Sequence, residues 1–288
     1  MSMLQCWALV LASLFPALAG AADIGVASLV EGNPRVLRGA TWYKLVPWAR
    51  LEDGDILSVG EGGHVLAEFA GGTALSVVGA GSLYLEPRAA KGADAGGPLA
   101  VTVPEGWLKL AARTPGFRVR LASAEVTSTE GILVVHAQGP ALELFVESGS
   151  ARLAALLPNG NAGPPQDAKH GEHWSTAEAG RFVAVARAPK AFVDTIPRRF
   201  LDPLPSLAAK DKPAPALVAD GDVTYAEAEP WLGGRDGAAF EKRFAVRLRD
   251  PAFRRAVEPR IARYRSWDRM LHPEKYLPKP AAPQQGAQ

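Results

Sequence analysis

Cysteine is almost absent from this chain, and the single one is Cys6. Nothing after it can form a disulfide, a thiolate metal site or a cysteine nucleophile. Charge is absent from the start: no charged side chain precedes Asp23. Net charge is only +2 over 288 residues, so the whole-protein case for nucleic-acid binding fails. No later apolar run is long enough to span a bilayer, so no integral span is expected beyond the leader. The sequence also lacks a G-x-S-x-G elbow, a phosphate-binding glycine loop and an H-E-x-x-H helix. Its serines and histidines fall in no triad-like order.

The uncharged opening is itself informative. The apolar run from Trp7 to Leu18 fits a secretory h-region, and Ala17-Leu18-Ala19 and Ala19-Gly20-Ala21 supply small residues for a signal peptidase. The n-region carries no Lys or Arg, which is the argument for an uncleaved anchor. The run is shorter than the roughly 20 residues a span needs, which favours cleavage. We therefore expect a periplasmic protein whose mature form is stabilised by its core alone.

From Ile24 to about Ala188 the chain is written in short apolar runs punctuated by glycine. In "FRVRLA" Phe117, Val119 and Leu121 alternate with Arg118 and Arg120, which predicts a strand with its arginines in water. Leu142, Leu144 and Val146 alternate likewise, as do Val65, Ala67 and Phe69. Gly71-Gly72 and Asp53-Gly54 read as tight turns. Spacing of about ten residues predicts an all-β architecture, coiled or sandwich-like. "GGHVLAEFAGGTALSV" and "EGILVVHAQGPALELFV" share a Gly-strand-Gly-strand layout. Residues 86–98 and 157–173 read as loops.

After Ala188 the pattern changes. Residues 189–222 are proline-rich and read as an irregular linker that touches the β domain through Phe192, Ile196, Phe200 and Leu204. A short helix is predicted between Thr224 and Gly233. Phe240, Phe244 and Leu248 form one helical stripe. Asp250 and Pro251 start a further helix, which Pro259 divides. The expected organisation is a signal peptide (1–21), a β domain (22–188), a linker (189–222), a basic helical region (223–277) and a disordered tail (278–288).

Three constellations could carry chemistry. His170-Gly171-Glu172-His173 offers metal ligands, but without helical spacing it reads as a turn entering a strand. Glu52-Asp53-Gly54-Asp55 offers calcium oxygens, but lacks the order of a calcium loop and reads as a charged turn. No two carboxylates stand out as a glycosidase pair, whose decisive separation is spatial. Residues 235–275 hold twelve Arg or Lys against six Asp or Glu. Here Arg254, Arg260, Arg263, Tyr264 and Trp267 form a candidate surface for an anionic partner, since guanidinium pairs with carboxylate or phosphate. Helical periodicity favours the alternative. In it Phe253, Val257, Ile261, Tyr264 and Trp267 dock onto the β domain while the arginines stay in water.

Trp42, Leu45, Gly54-Asp55, Gly71-Gly72 and Leu75, followed by "GWLKLAARTPGFRVRLASAEVTSTEGILVVH", "LFVESGSARL" and "HGEHWST", resemble the FecR-domain family over residues 26–180. The resemblance implies an exported, β-rich, non-enzymatic domain. In the family's iron-signalling members a cytoplasmic anti-sigma segment and a membrane helix precede the domain, and here only a leader-like stretch stands there. The expected function is a binding or scaffold module at the cell envelope, with an envelope protein or anionic glycan as partner. We expect no catalysis, cofactor, metal or nucleic acid. The alternatives are a signal-transduction component partnered with a membrane sensor, and a glycan-processing enzyme of the envelope.

Overall fold

A computed structural model describes residues 23–88, 97–157, 159–176, 181–207, 212–233 and 235–277. The leader, the centre of the 86–98 loop and the C-terminal tail lie outside the described residues. The chain is mostly β with a small helical region at its C-terminal end. The first strands are β1 (Asp23–Glu31), β2 (Arg35–Arg38), β3 (Thr41–Lys44), β4 (Ala49–Glu52), β5 (Ile56–Val59), β6 (His64–Phe69) and β7 (Ala74–Leu85). They are followed by β8 (Leu99–Ala112), β9 (Phe117–Arg120), β10 (Ala124–Ser128), β11 (Gly131–Gln138) and β12 (Ala141–Ala155). Then come β13 (Gln166–Lys169), β14 (His173–Thr176), β15 (Phe182–Val185) and β16 (Val218–Asp222). The helices are α1 (Lys190–Thr195), α2 (Tyr225–Leu232), α3 (Gly237–Phe244), α4 (Pro251–Val257) and α5 (Arg265–Leu271).

Three long strands make the body barrel-like, because each changes partners midway. The first half of β7 pairs with β6 and its second half with β5. β8 pairs with β9 in parallel through its first half and with β11 through its second. β12 runs beside β11 and β14, then beside β10 and β13. The continuous sheet thus folds into two layers. Alternation fills the space between them with Val36, Leu57, Val65, Leu83, Leu108, Val119, Leu133 and Leu144, all buried. The two expected hairpins exist: Gly71 and Gly72, both left-handed, join β6 to β7, while β11 and β12 form the second copy of the layout. Gly131 opens β11 opposite Gly149, and a Cβ there would meet Ser148 O at 2.3 Å, so only glycine fits.

Two sequence expectations change here. The 157–173 loop contains β13, which pairs with β12. Arg120 is buried rather than solvated, since Glu86 and Glu125 hold its guanidinium at 2.8 and 3.2 Å.

The outer faces of both layers are apolar as well. On the β6–β7–β8–β11–β12 layer, Val78, Trp107, Val134 and Phe145 point away from the core, against Phe192, Ile196 and Phe200. On the β2–β3–β5–β7 layer, Leu37, Trp42, Ile56 and Tyr84 are covered by residues of α2 to α5. The proline-rich segment expected to be a linker is therefore a belt. Phe192 of α1 lies on His173 and Trp107. Arg199 then pairs with Glu31, and Ser206 and Leu207 bond Glu68. Further on, Lys212 O accepts from Arg50, and β16 adds to the edge of β3.

Two cations, the fully buried Lys109 and the half-buried Arg243, fasten the belt and the cap. Lys109, fully buried on β8, donates to the carbonyls of Phe200 and Asp202 at 2.7 and 2.9 Å and pairs with Glu147 at 2.8 Å. Arg243 of α3 donates to the carbonyls of Gly39, Gly54 and Leu37 at 2.6, 2.6 and 2.8 Å. Burial lowers its pKa, and the three carbonyl dipoles replace lost water. The helices themselves start as the sequence predicts. Thr224 and Glu227 form a reciprocal cap on α2, and Asp250 accepts from Ala252 N ahead of Pro251. Arg243→Met should cost about 3 kcal/mol, because three carbonyls lose a charged donor. Urea unfolding measures this, and an unchanged midpoint would show that the cap docks by apolar contact alone.

Candidate functional site

The cap does not close fully on the sheet. A cleft of ≈ 900 Å³ lies between them, with Tyr84, Trp231 and Phe240 among its lining. The Tyr84 and Phe240 rings meet edge-on at 4.9 Å, and Trp231 lies 6.2 Å from Tyr84. Leu121, Leu157 and Pro104 continue the apolar wall. Polar groups enter from Thr102, Arg120, Asn159, Arg235 and Asp236. The walls come from the first half of β8, the end of β9, the residues just after β12, and α2 with the turn that follows it, so the cleft sits where the body and the cap part.

The charges beside the cleft are organised around Glu86. It accepts from Thr102 Oγ1 and Arg120 Nη1, each at 2.8 Å, and from Arg118 Nη2 at 3.2 Å. Glu86 and Glu125 are thus engaged by arginine, while Arg120 Nε is buried without a partner. Such a set can orient a polar group of a ligand against an aromatic floor.

The other sequence candidates separate in space. His173 begins β14 with its ring buried, whereas His170 stays exposed with Nδ1 2.8 Å from Glu147 O. His173 Nε2 lies 3.6 Å from Glu143, whose other oxygen meets His136 Nδ1 at 3.0 Å. Burial holds the His173 pKa below its ordinary value. Among the described residues no group of three or more His, Cys, Asp or Glu is placed to hold a metal ion. In the Glu52–Asp55 turn, Asp55 is buried and receives Arg38 through Nε at 3.0 Å and Nη2 at 2.8 Å. Its carboxylate also accepts from Glu52 N at 2.9 Å, so it closes the turn.

The candidate anion surface divides. Arg254 and Arg263 are exposed. Arg260 is held by Glu229 at 3.3 Å and lies over the Tyr225 ring. Tyr264 and Trp267 are not on the surface, because both are buried in the cap core. Tyr264 shares a 2.9 Å hydroxyl contact with Tyr225, and Trp267 donates Nε1 to Glu241 O at 2.8 Å. Helical periodicity turns these two inward with Phe253, Val257 and Ile261. The interleaved aromatic–arginine surface therefore does not form, and the arginines stand without it. The sequence offered no sign of the cleft, since Tyr84, Arg120 and Trp231 are far apart along the chain.

Comparisons with known proteins follow this geometry. No family model matches the chain, and no curated protein does. Among solved structures, two crystal structures from Parabacteroides distasonis ATCC 8503, each described as a "putative anti-sigma factor", superpose with a TM-score of 0.38. Identity is 17% in one and 16% in the other. The overlap covers 46% of this chain and 59% of the solved chain in each case, so this chain spans less than two thirds of their length. No described helix is long and apolar enough to cross a membrane.

Trp267→Ala should destabilise the cap by about 3–5 kcal/mol, whereas Arg254→Ala should stay within about 0.5 kcal/mol. Thermal unfolding of both variants checks the division into inward aromatics and outward arginines.

Proposed function

We propose that this protein is a non-enzymatic, exported binding or scaffold module of the cell envelope, and that its helical cap meets an anionic partner. One observation carries the reading. Arg249, Arg254, Arg255, Arg263 and Arg265 are exposed, and among the described residues none has a carboxylate within salt-bridge distance. The cations that the fold itself needs, Arg38, Lys109, Arg120, Arg243 and Arg247, are engaged by carboxylates or backbone carbonyls. The outer arginines are thus surplus to folding and free to pair with an acidic glycan or an acidic protein face. An uncharged leader of the kind described above suits delivery to the periplasm. A signalling role beside a membrane partner is the second reading, favoured by the FecR-like placing of Trp42, Gly54-Asp55 and Gly71-Gly72.

Co-sedimentation with purified acidic cell-wall glycan tests the proposal. Binding should weaken steeply with salt, and Arg254→Glu combined with Arg263→Glu and Arg265→Glu should reduce it about tenfold. Unaltered binding by the triple variant would overturn the arginine reading, and turnover of the glycan by pure protein would overturn the non-enzymatic one.

A further inference from the structure

His64 is a second buried histidine, and it lies where the belt crosses the sheet. Its ring is 6% exposed, with Nε2 2.8 Å from Ser76 Oγ of β7 and Nδ1 unpartnered. Directly opposite on β1 stands Glu31. Glu31 is ion-paired with Arg199, which belongs to the belt. Two further charged groups face this spot. Lys109 stands opposite Ser76 on β8, but Glu147 and two belt carbonyls satisfy it. Glu68 of β6 is taken by Ser206 and Leu207 of the belt. Glu31 is therefore the carboxylate beside His64 that is shared with the belt by a single ion pair.

We propose that Glu31, Arg199 and His64 form an acid-operated latch that releases the belt segment 198–207 from the sheet. In the shut state Glu31 holds the Arg199 guanidinium. When the His64 ring takes up a proton, a second cation appears beside Arg199. That cation faces Glu31 across the β1–β6 register. The carboxylate exchanges guanidinium for imidazolium, Arg199 is left unpaired beside a like charge, and the segment lifts.

The direction of the response follows from linkage. Burial first, and then Arg199, lower the His64 pKa below its ordinary 6.5, with Glu31 opposing. Lifting the belt removes Arg199 and admits water, which raises it again. The shut state is fully favoured above the ordinary value and loses ground as pH falls through the lowered one. His173, under the other end of the belt, is arranged differently. Its charged neighbour is Glu143 of the sheet, shared with His136, and its belt contact is the Phe192 ring at 4.5 Å. Protonation there exchanges no belt ion pair.

Hydrogen exchange of segment 196–207 in the full chain tests the latch, at about pH 7.5 and about pH 5 with intrinsic rates corrected. Protection should fall about tenfold in acid while β8 keeps its own. His64→Gln, which can still bond Ser76 but cannot titrate, should abolish the fall. Glu31→Gln should leave the segment poorly protected at both pH values. His173→Gln should keep the response. The latch is refuted if acid leaves the segment protected or unprotects β8 equally. It is refuted too if His64→Gln responds like the unaltered chain, or if only His173→Gln loses the response.

Discussion

Everything in this fold follows from a β body that is apolar on three surfaces instead of one. Strands in a two-layer body normally put one face in the core and the other in water. Here Leu37, Ile56 and Tyr84 point away from the core on one layer, and Trp107, Val134 and Phe145 do so on the other. Left bare, such faces would be large exposed apolar patches. The C-terminal third is the answer: the belt covers one face and the helical cap the other. Lys109 and Arg243 give both coverings direction, since each ties backbone carbonyls to one position on the sheet. Apolar contact supplies the drive, and the two cations supply the register.

The functional reading emerges from which charges this wrapping consumes. A basic segment read as a run of residues treats all its arginines alike. In the fold, Arg243 and Arg247 turn inward onto carbonyls and carboxylates, Arg260 is shared with Glu229 and Tyr225, and Arg254 and Arg263 remain in water. The same sorting explains the cleft. Where the cap stops short of the sheet, a cleft edged by the buried rings of Tyr84 and Trp231 remains beside the ion cluster of Glu86.

Strand periodicity and helix caps were legible in the sequence because both are local. Val65, Ala67 and Phe69 reach the core as alternation predicts, and Thr224, Asp250 and Pro251 start helices where cap chemistry says they should. The belt was legible only in part: its contact through Phe192, Ile196 and Phe200 was expected, but its fastening was not, because proline-rich segments look alike whether they hang in solvent or lie on an apolar sheet. The regularly spaced Phe192, Ile196, Phe200 and Leu204 gave the hint. The ion pairs were hidden for another reason. Glu86 sits in what reads as loop, and Asp55 in what reads as a surface turn, yet each meets arginines on strands distant in sequence. The cleft and the His64–Glu31–Arg199 group exist only through tertiary proximity.

The pairing of β16 with β3 has a kinetic side. Thr41–Lys44 is among the first strands made, and the strand that completes its edge begins only at Val218. Until then its outer backbone groups are unpaired, and the neighbouring Trp42 surface is uncovered, a combination that invites pairing with other chains. So distant a partner also demands closure of a very long loop, which slows folding. A chain organised in this way gains from meeting its surroundings all at once, or from having a chaperone hold that margin until the last third arrives.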